Sequence, residues 1–163
     1  MPGKVAPLKI DRIDRRILDC LQQDGGLSNQ ELAEKVGLSP SPCLRRVKAL
    51  EEAGVILRRV TLLDRKKLGL SLTVILNIGM DRHTPERFEK FEETVAGFPE
   101  VQECYLVTGQ TADYQLKVVV PDMDAYQAFL LGKITRIPGV SGVHSSFVLR
   151  RVVDHTEVPL GYL

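Results

Sequence analysis

The chain has no tryptophan, and aromatic residues are only 6% of its 163 positions. A surface built to stack RNA bases needs more: Tyr105 and Tyr114 are the only strand aromatics placed for it, without the usual Gly-aromatic signature. Cys20, Cys43 and Cys104 are odd in number, widely spaced and never CxxC, which argues against a disulfide framework and suits a reducing compartment. His83, His144 and His155 are scattered, none at i, i+4 beside a carboxylate or thiol, so no metal site is expected. MPGKVAPLK lacks an apolar signal core, and no apolar run is long enough to span a membrane. A cytoplasmic protein without membrane contact is expected. With no nucleophile–base pair and no glycine-rich phosphate loop, no catalytic residue and no cofactor is expected either.

Net charge is also nearly absent, at +1. Its distribution is uneven. Residues 1–69 hold fourteen Lys/Arg against nine Asp/Glu, and residues 70–163 hold eight against twelve. A basic part followed by an acidic part points to two modules, of which the first favours phosphate.

What is present begins with helical spacing. Ile10, Ile13, Ile17, Leu18 and Leu21 form one apolar face, closed by Gly25-Gly26. Ser28-Asn-Gln-Glu31 is a capping-box pattern opening a second helix with Leu32, Ala33 and Val36 inward. Gly37 supplies a left-handed corner. In Leu38-Ser-Pro-Ser-Pro42, Pro42 pushes Ser41 out of helical geometry, which predicts Ser41 as N-cap and Pro42 as first helical residue. Leu44, Val47 and Leu50 would face inward, with Cys43 near them as a small core residue. Glu51 on that inner arc would need a cationic partner. Two short helices at a tight corner are the outline of a helix-turn-helix, with the second helix set for the DNA major groove. Ser39, Ser41 and Pro42 at its start, Arg45, Arg46 and Lys48 along it, and Arg58 and Arg59 beyond it are the candidate DNA contacts. Val55–Leu63 is β-branched and apolar enough for a short strand, or wing.

A polar stretch, 64–69, reads as a linker. Leu72, Val74, Leu76, Ile78 and Met80 then alternate as a half-buried strand. A helix from Thr84-Pro85 with Phe88, Phe91 and Val95 follows. Strands over 101–108 and 114–120 come next, then a helix capped by Asp122 carrying Tyr126, Phe129, Leu130, Ile134 and Ile137, then a last strand within 140–153. The order β-α-β-β-α-β, with Phe98-Pro-Glu-Val101 echoed by Ile137-Pro-Gly-Val140, is that of a ferredoxin-like sheet with both helices on one face. Its other face is expected to pack on a copy of itself. Thr108, Gly109, Gln110, Thr111, Asp113 and Tyr114 form the best small-ligand candidate, with Asp113 placed to meet an ammonium.

The chain as a whole resembles the leucine-responsive regulatory protein/AsnC (feast/famine) transcription factors, from about Lys9 to Val153. The resemblance is carried by Asp11-Arg-Ile-Asp14 with Ile17-Leu18, by Leu32 to Val47 (LAEKVGLSPSPCLRRV), by Leu50-Glu51 and by Gly54-Val-Ile56. In the second half it is carried by Val107-Thr-Gly109 with Asp113-Tyr114, Val120-Pro-Asp-Met123 and Pro138-Gly-Val140. It implies an α+β protein with a winged helix-turn-helix over 9–63, a linker over 64–69, a ferredoxin-like βαββαβ RAM domain over 70–153 and a tail over 154–163. It further implies double-stranded operator DNA as partner, an amino-acid effector bound between dimers, and homodimers assembling to octamers or similar rings. Gly109, Asp113, Tyr114 and Met123 fall where the family's effector response maps. Gln-Thr-Ala makes the loop one residue longer than in the leucine-responsive type, so a different loop geometry is expected and leucine is not assumed as effector. The alternative is a metabolite-binding or catalytic ferredoxin-like protein whose helical head is only an interaction module.

Overall fold

Asp11 and Ser28 each close a reciprocal cap on the helix that follows. Asp11 Oδ1 accepts from the Ile13 and Asp14 amides at 2.8 Å, and the Asp14 carboxylate accepts from the Asp11 amide at 3.2 Å. This starts α1 (Arg12–Gln23) with two carboxylates at the positive end of its dipole. Ser28 Oγ accepts from the Glu31 amide at 3.2 Å while Glu31 Oε2 accepts from the Ser28 amide at 2.8 Å, starting α2 (Asn29–Val36). Gly37 then turns the chain at φ +74°, a conformation that costs a residue with a Cβ.

The structure, a computed structural model, describes residues 9–108 and 112–163. Its contacts divide the chain into two units: residues up to Leu62 together with Val153–Leu163, and Leu63–Val152.

In the first unit α3 (Pro40–Glu52) begins two residues before the expected start, with Ser39 rather than Ser41 at the N-cap and Pro40 at its first position. Both Ser-Pro pairs satisfy the same local rule. Pro42 is tolerated one turn in because first-turn amides have no intrahelical partner to lose. The inner face is rotated as well. Cys43, Val47 and Leu50 are buried, whereas Leu44 is 43% exposed. That rotation carries Glu51 out of the predicted inner arc to the surface, where Arg59 meets it at 3.5 Å. Ile17, Leu18, Leu32, Ala33 and Val36 complete the core. Each fully buried aliphatic contributes about 1.5–3 kcal/mol, against about 1 kcal/mol for a cap. Packing therefore holds the three helices together, and side-chain caps set where α1 and α2 begin. Residues 55–62 form no strand, contrary to the expected wing strand. A strand needs a partner to satisfy its backbone, and one chain offers none there; Leu57 is left 88% exposed and Leu62 70%.

The second unit is an antiparallel sheet in the order β2-β3-β1-β4, built from β1 (Leu72–Met80), β2 (Val101–Leu106), β3 (Tyr114–Val120) and β4 (Val140–Phe147). Helices α4 (Pro85–Ala96) and α5 (Met123–Gly132) cover one face. The alternating residues Val74, Leu76, Ile78 and Met80 of β1 pack with Tyr114, Leu116, Val118 and Val120 of β3 against Phe91, Val95, Tyr126 and Phe129. This is the ferredoxin-like arrangement. The predicted second strand is shorter, ending at Leu106, and the predicted last helix stops at Gly132; Ile134–Arg136 form a separate 3-10 turn that still buries Ile134. Residues 64–69 are not extended but coil into a turn, in which Asp64 accepts from the Lys66 and Lys67 amides at 3.0 and 3.3 Å. The open face of the sheet carries Gln115, donating to Asn77 at 3.2 Å, and a Lys117–Glu103 pair at 2.6 Å.

Candidate functional site

The solvent face of α3 follows from its core. Cys43, Val47 and Leu50 look inward, so Ser41, Arg45 and Lys48, spaced i, i+4, i+7, lie on the opposite side and are exposed. Among the described residues Arg45 and Lys48 make no ion pair, and their charges stand free toward solvent. Ser39 is exposed at the N-cap without a side-chain capping bond, and Pro42 is half-buried. Pro40 and Pro42 have no N–H, and the Cys43 amide already donates to the Ser39 carbonyl at 3.2 Å. The start of α3 thus offers a phosphate few amides, and the serine hydroxyls and cationic side chains are what it presents.

Arg46 is differently placed from the contact expected of it. Its Nη1 reaches Asp11 Oδ2 and Asp14 Oδ1, both at 2.7 Å. These bonds, Asp14 first, hold the guanidinium pKa above its ordinary value, and the Asp14 amide together with Arg46 holds the Asp11 carboxyl below its own. Two carboxylates neutralise this arginine and tie α3 to the capped start of α1. The same contacts fix the middle of α3 against the start of α1. Asn29 adds a second tie, donating from Nδ2 to the Pro40 carbonyl at 2.8 Å across the corner. Arg58 is exposed beyond the helix, and Arg59 is shared with Glu51.

In the second unit, Gly109, Gln110 and Thr111 lie outside the described residues, and Thr108 is exposed beside them. Asp113 holds the start of β3. Its Oδ2 accepts from the Met80 amide at 2.7 Å and its Oδ1 meets His83 Nε2 at 2.8 Å. Its own amide donates to the Ile78 carbonyl at 2.8 Å, and its carbonyl accepts from the Val107 amide at 2.9 Å. One residue therefore joins the ends of three strands. Both carboxylate oxygens, expected to meet an ammonium, have partners within the chain: the Met80 amide and the largely exposed His83 side chain. Tyr114, also expected at the ligand site, is a core residue, 1% exposed, with its ring 4.5 Å from that of Phe91. Its hydroxyl donates to Glu92 Oε1 at 2.7 Å. Burial, then the Glu92 carboxylate, pushes the phenol pKa above its ordinary value.

Met123 is exposed at the first turn of α5. It follows the far end of β3, whose seven residues span about 20 Å at the usual rise per residue. Within one chain Met123 therefore stands about a strand's length from Asp113. His83 and Glu92, which hold the loop's flank, carried no sequence signal; each is an isolated polar residue whose partner lies on another element. No three His, Cys, Asp or Glu side chains are grouped to hold a metal ion among the described residues, and no described helix is long and apolar enough to cross a membrane.

Comparison with known proteins fits both units. Residues 10–56 match the model of a winged helix-turn-helix DNA-binding family, and residues 73–158 match that of the Lrp/AsnC ligand binding domain. The chain is 43% identical to the Bkd operon transcriptional regulator of Pseudomonas aeruginosa, over 93% of its own length and 99% of that protein. It is 46% identical to the leucine-responsive regulatory protein of Escherichia coli, over 93% of its length and 89% of that protein. Among solved structures, a transcriptional regulator of Neisseria meningitidis in complex with L-methionine superposes with a TM-score of 0.89 at 39% identity, covering 93% of this chain and 97% of that one.

Proposed function

The chain belongs to the Lrp/AsnC family of transcriptional regulators, and on that premise we propose how its parts share the work. The exposed Ser41–Arg45–Lys48 face of α3 reads double-stranded operator DNA, Arg45 at base edges and Ser39, Lys48, Arg58 and Arg59 at phosphates. Arg46 and Pro42 hold the helix in place. The observation that carries this reading is the division of labour between neighbours: Arg46 is neutralised by Asp11 and Asp14, while Arg45 keeps its charge free.

The sheet unit senses an amino acid. Thr108, Gly109, Gln110 and Thr111 supply amides and hydroxyls for its α-carboxylate. Asp113 and Tyr114 set the loop from below, which the engagement of both Asp113 oxygens supports. Met123 completes the site from a second copy, consistent with its place at the far end of β3. Dimers form through the open sheet face and assemble into octamers or related rings, and occupancy of the site shifts that assembly or the DNA affinity. The protein performs no catalysis, binds no cofactor and works in the cytoplasm with the DNA it regulates.

Two measurements test this. Binding to a duplex selected in vitro from random DNA should weaken steeply and log-linearly with salt, as released counterions require. A salt-independent or absent interaction refutes the DNA reading. A melting screen against the twenty amino acids should raise the melting temperature for one or a few of them. No stabilisation by any of them refutes the effector class.

A further inference from the structure

The helix-turn-helix unit is assembled from two separate stretches of chain, residues up to Leu62 and Val153–Leu163. The second stretch is fastened to α1. Gln22 Oε1 accepts from the Val158 amide at 2.6 Å and its Nε2 donates to the Val158 carbonyl at 3.3 Å. A side-chain amide here reads both backbone groups of one residue, as a neighbouring strand does. Leu160 packs against the helical core, and Arg15 Nη2 donates to the Leu163 carbonyl. Below the segment runs a groove of about 940 Å³, walled by Leu18, Leu21 and Ile56 on one side and Val158 and Leu160 on the other.

This attachment is light. Val158 is 61% exposed, Tyr162 91% and Leu163 58%; Leu160 alone reaches the core. A segment with one apolar anchor and a few solvent-facing hydrogen bonds opens far more cheaply than the unit it rests on. It also has topological leverage. The chain passes between the two units twice, at residues 62–63 and again at 152–153. With residues 154–163 docked, the DNA-binding unit is held by two chain segments; with them released, it hangs on one.

We propose that residues 154–163 are a releasable strap on α1 whose docking restricts the swing of each DNA-binding unit. The inference rests on the dimeric DNA-binding reading above. In a dimer, a restricted head samples its second half-site at higher effective concentration, so docking tightens binding to a full operator. The strap contacts Arg15 and Gln22, not the Ser41–Arg45–Lys48 face, so one head meeting one half-site is indifferent to it. Residues 148–152 join the end of β4 directly to the strap, which gives the ligand-binding unit a short route to α1.

The test uses the full chain carrying Leu160→Asp, and separately Gln22→Ala, on two duplexes: the in vitro selected site and the same duplex with one half scrambled. The strap predicts that Leu160→Asp weakens full-site binding about ten-fold, leaves half-site binding unchanged and accelerates exchange of the Val158 amide. Gln22→Ala should act in the same direction, more weakly. Equal loss on both duplexes means the head itself is damaged and overturns the strap. Unchanged or tighter full-site binding by both variants overturns it too. Failure of the unsubstituted protein to bind either duplex overturns the DNA reading itself, a separate and recognisable result.

Discussion

Tyr114→Phe tests whether the Tyr114 hydroxyl holds the start of β3 or touches the amino acid. The substitution deletes one hydroxyl and keeps the ring that packs 4.5 Å from Phe91 and 5.6 Å from Phe88. The lost bond ends on the Glu92 carboxylate, and a hydrogen bond to a charged group is worth about 1.5–3 kcal/mol when both partners are dry. Glu92, however, is exposed and rehydrates once abandoned. The expected cost is therefore at or below the lower end of that range, about 1 kcal/mol. At a urea dependence of about 1–3 kcal/mol per molar, this moves the unfolding midpoint down by roughly 0.3–1 M. Protomer concentration must be matched, because assembly adds its own stabilisation. Tyr114→Ala would be uninformative: losing a buried aromatic costs about 3–5 kcal/mol, a large part of a domain's stability. Calorimetric titration of Tyr114→Phe with the amino acid found in the melting screen should give affinity within about two-fold of the unsubstituted protein. A ten-fold affinity loss with an unmoved urea midpoint would refute the reasoning and put the hydroxyl on the ligand.

Arg45→Ala should cost about 1–3 kcal/mol of specific DNA binding at unchanged stability, whereas Arg46→Ala should lower the melting temperature and leave affinity nearly intact well below it. Anisotropy titration beside a melting curve distinguishes them, and the reverse pattern would exchange their roles. The Glu103 carboxyl lies below its ordinary value of 4.5, chiefly through Lys117 and then Tyr105. A depressed carboxyl adds stability above the unfolded-state value and loses it as pH falls through the folded-state value. The stability advantage over Glu103→Gln should thus be full at neutral pH and shrink below about pH 4.5. Urea midpoints for both proteins across that range check it, and a pH-independent difference refutes it.

Features that depend on neighbours in sequence were legible. The Ser28–Glu31 cap, the Gly37 corner, the alternation along β1 and the Asp122 cap need only a few consecutive residues, and each stands as read. The Asp11–Asp14 cap is equally local, two carboxylates three residues apart, but lacks the Ser/Thr-x-x-Glu form that marks Ser28–Glu31. Where two local rules tie, as at Ser39-Pro40 and Ser41-Pro42, tertiary packing chooses. That choice placed Cys43 inside, Leu44 outside and Glu51 at the surface. Spacing places Arg45 opposite the inner arc and Arg46 beside it, but only the approach of α1 gives Arg46 its two carboxylates. His83 and Glu92 were hidden for the same reason: each finds its partner on another element, more than twenty residues along the chain.

The discontinuity of the helical unit has a consequence for synthesis. Its three helices leave the ribosome first, but Leu160 leaves only after all four strands of the sheet have been made. The unit that begins earliest is completed last. Between those moments Leu18, Leu21 and Ile56 line an open groove, so the nascent head carries an uncovered apolar flank while the sheet folds behind it. A head excised at residue 62 keeps that flank uncovered, as the full chain does whenever the strap is released.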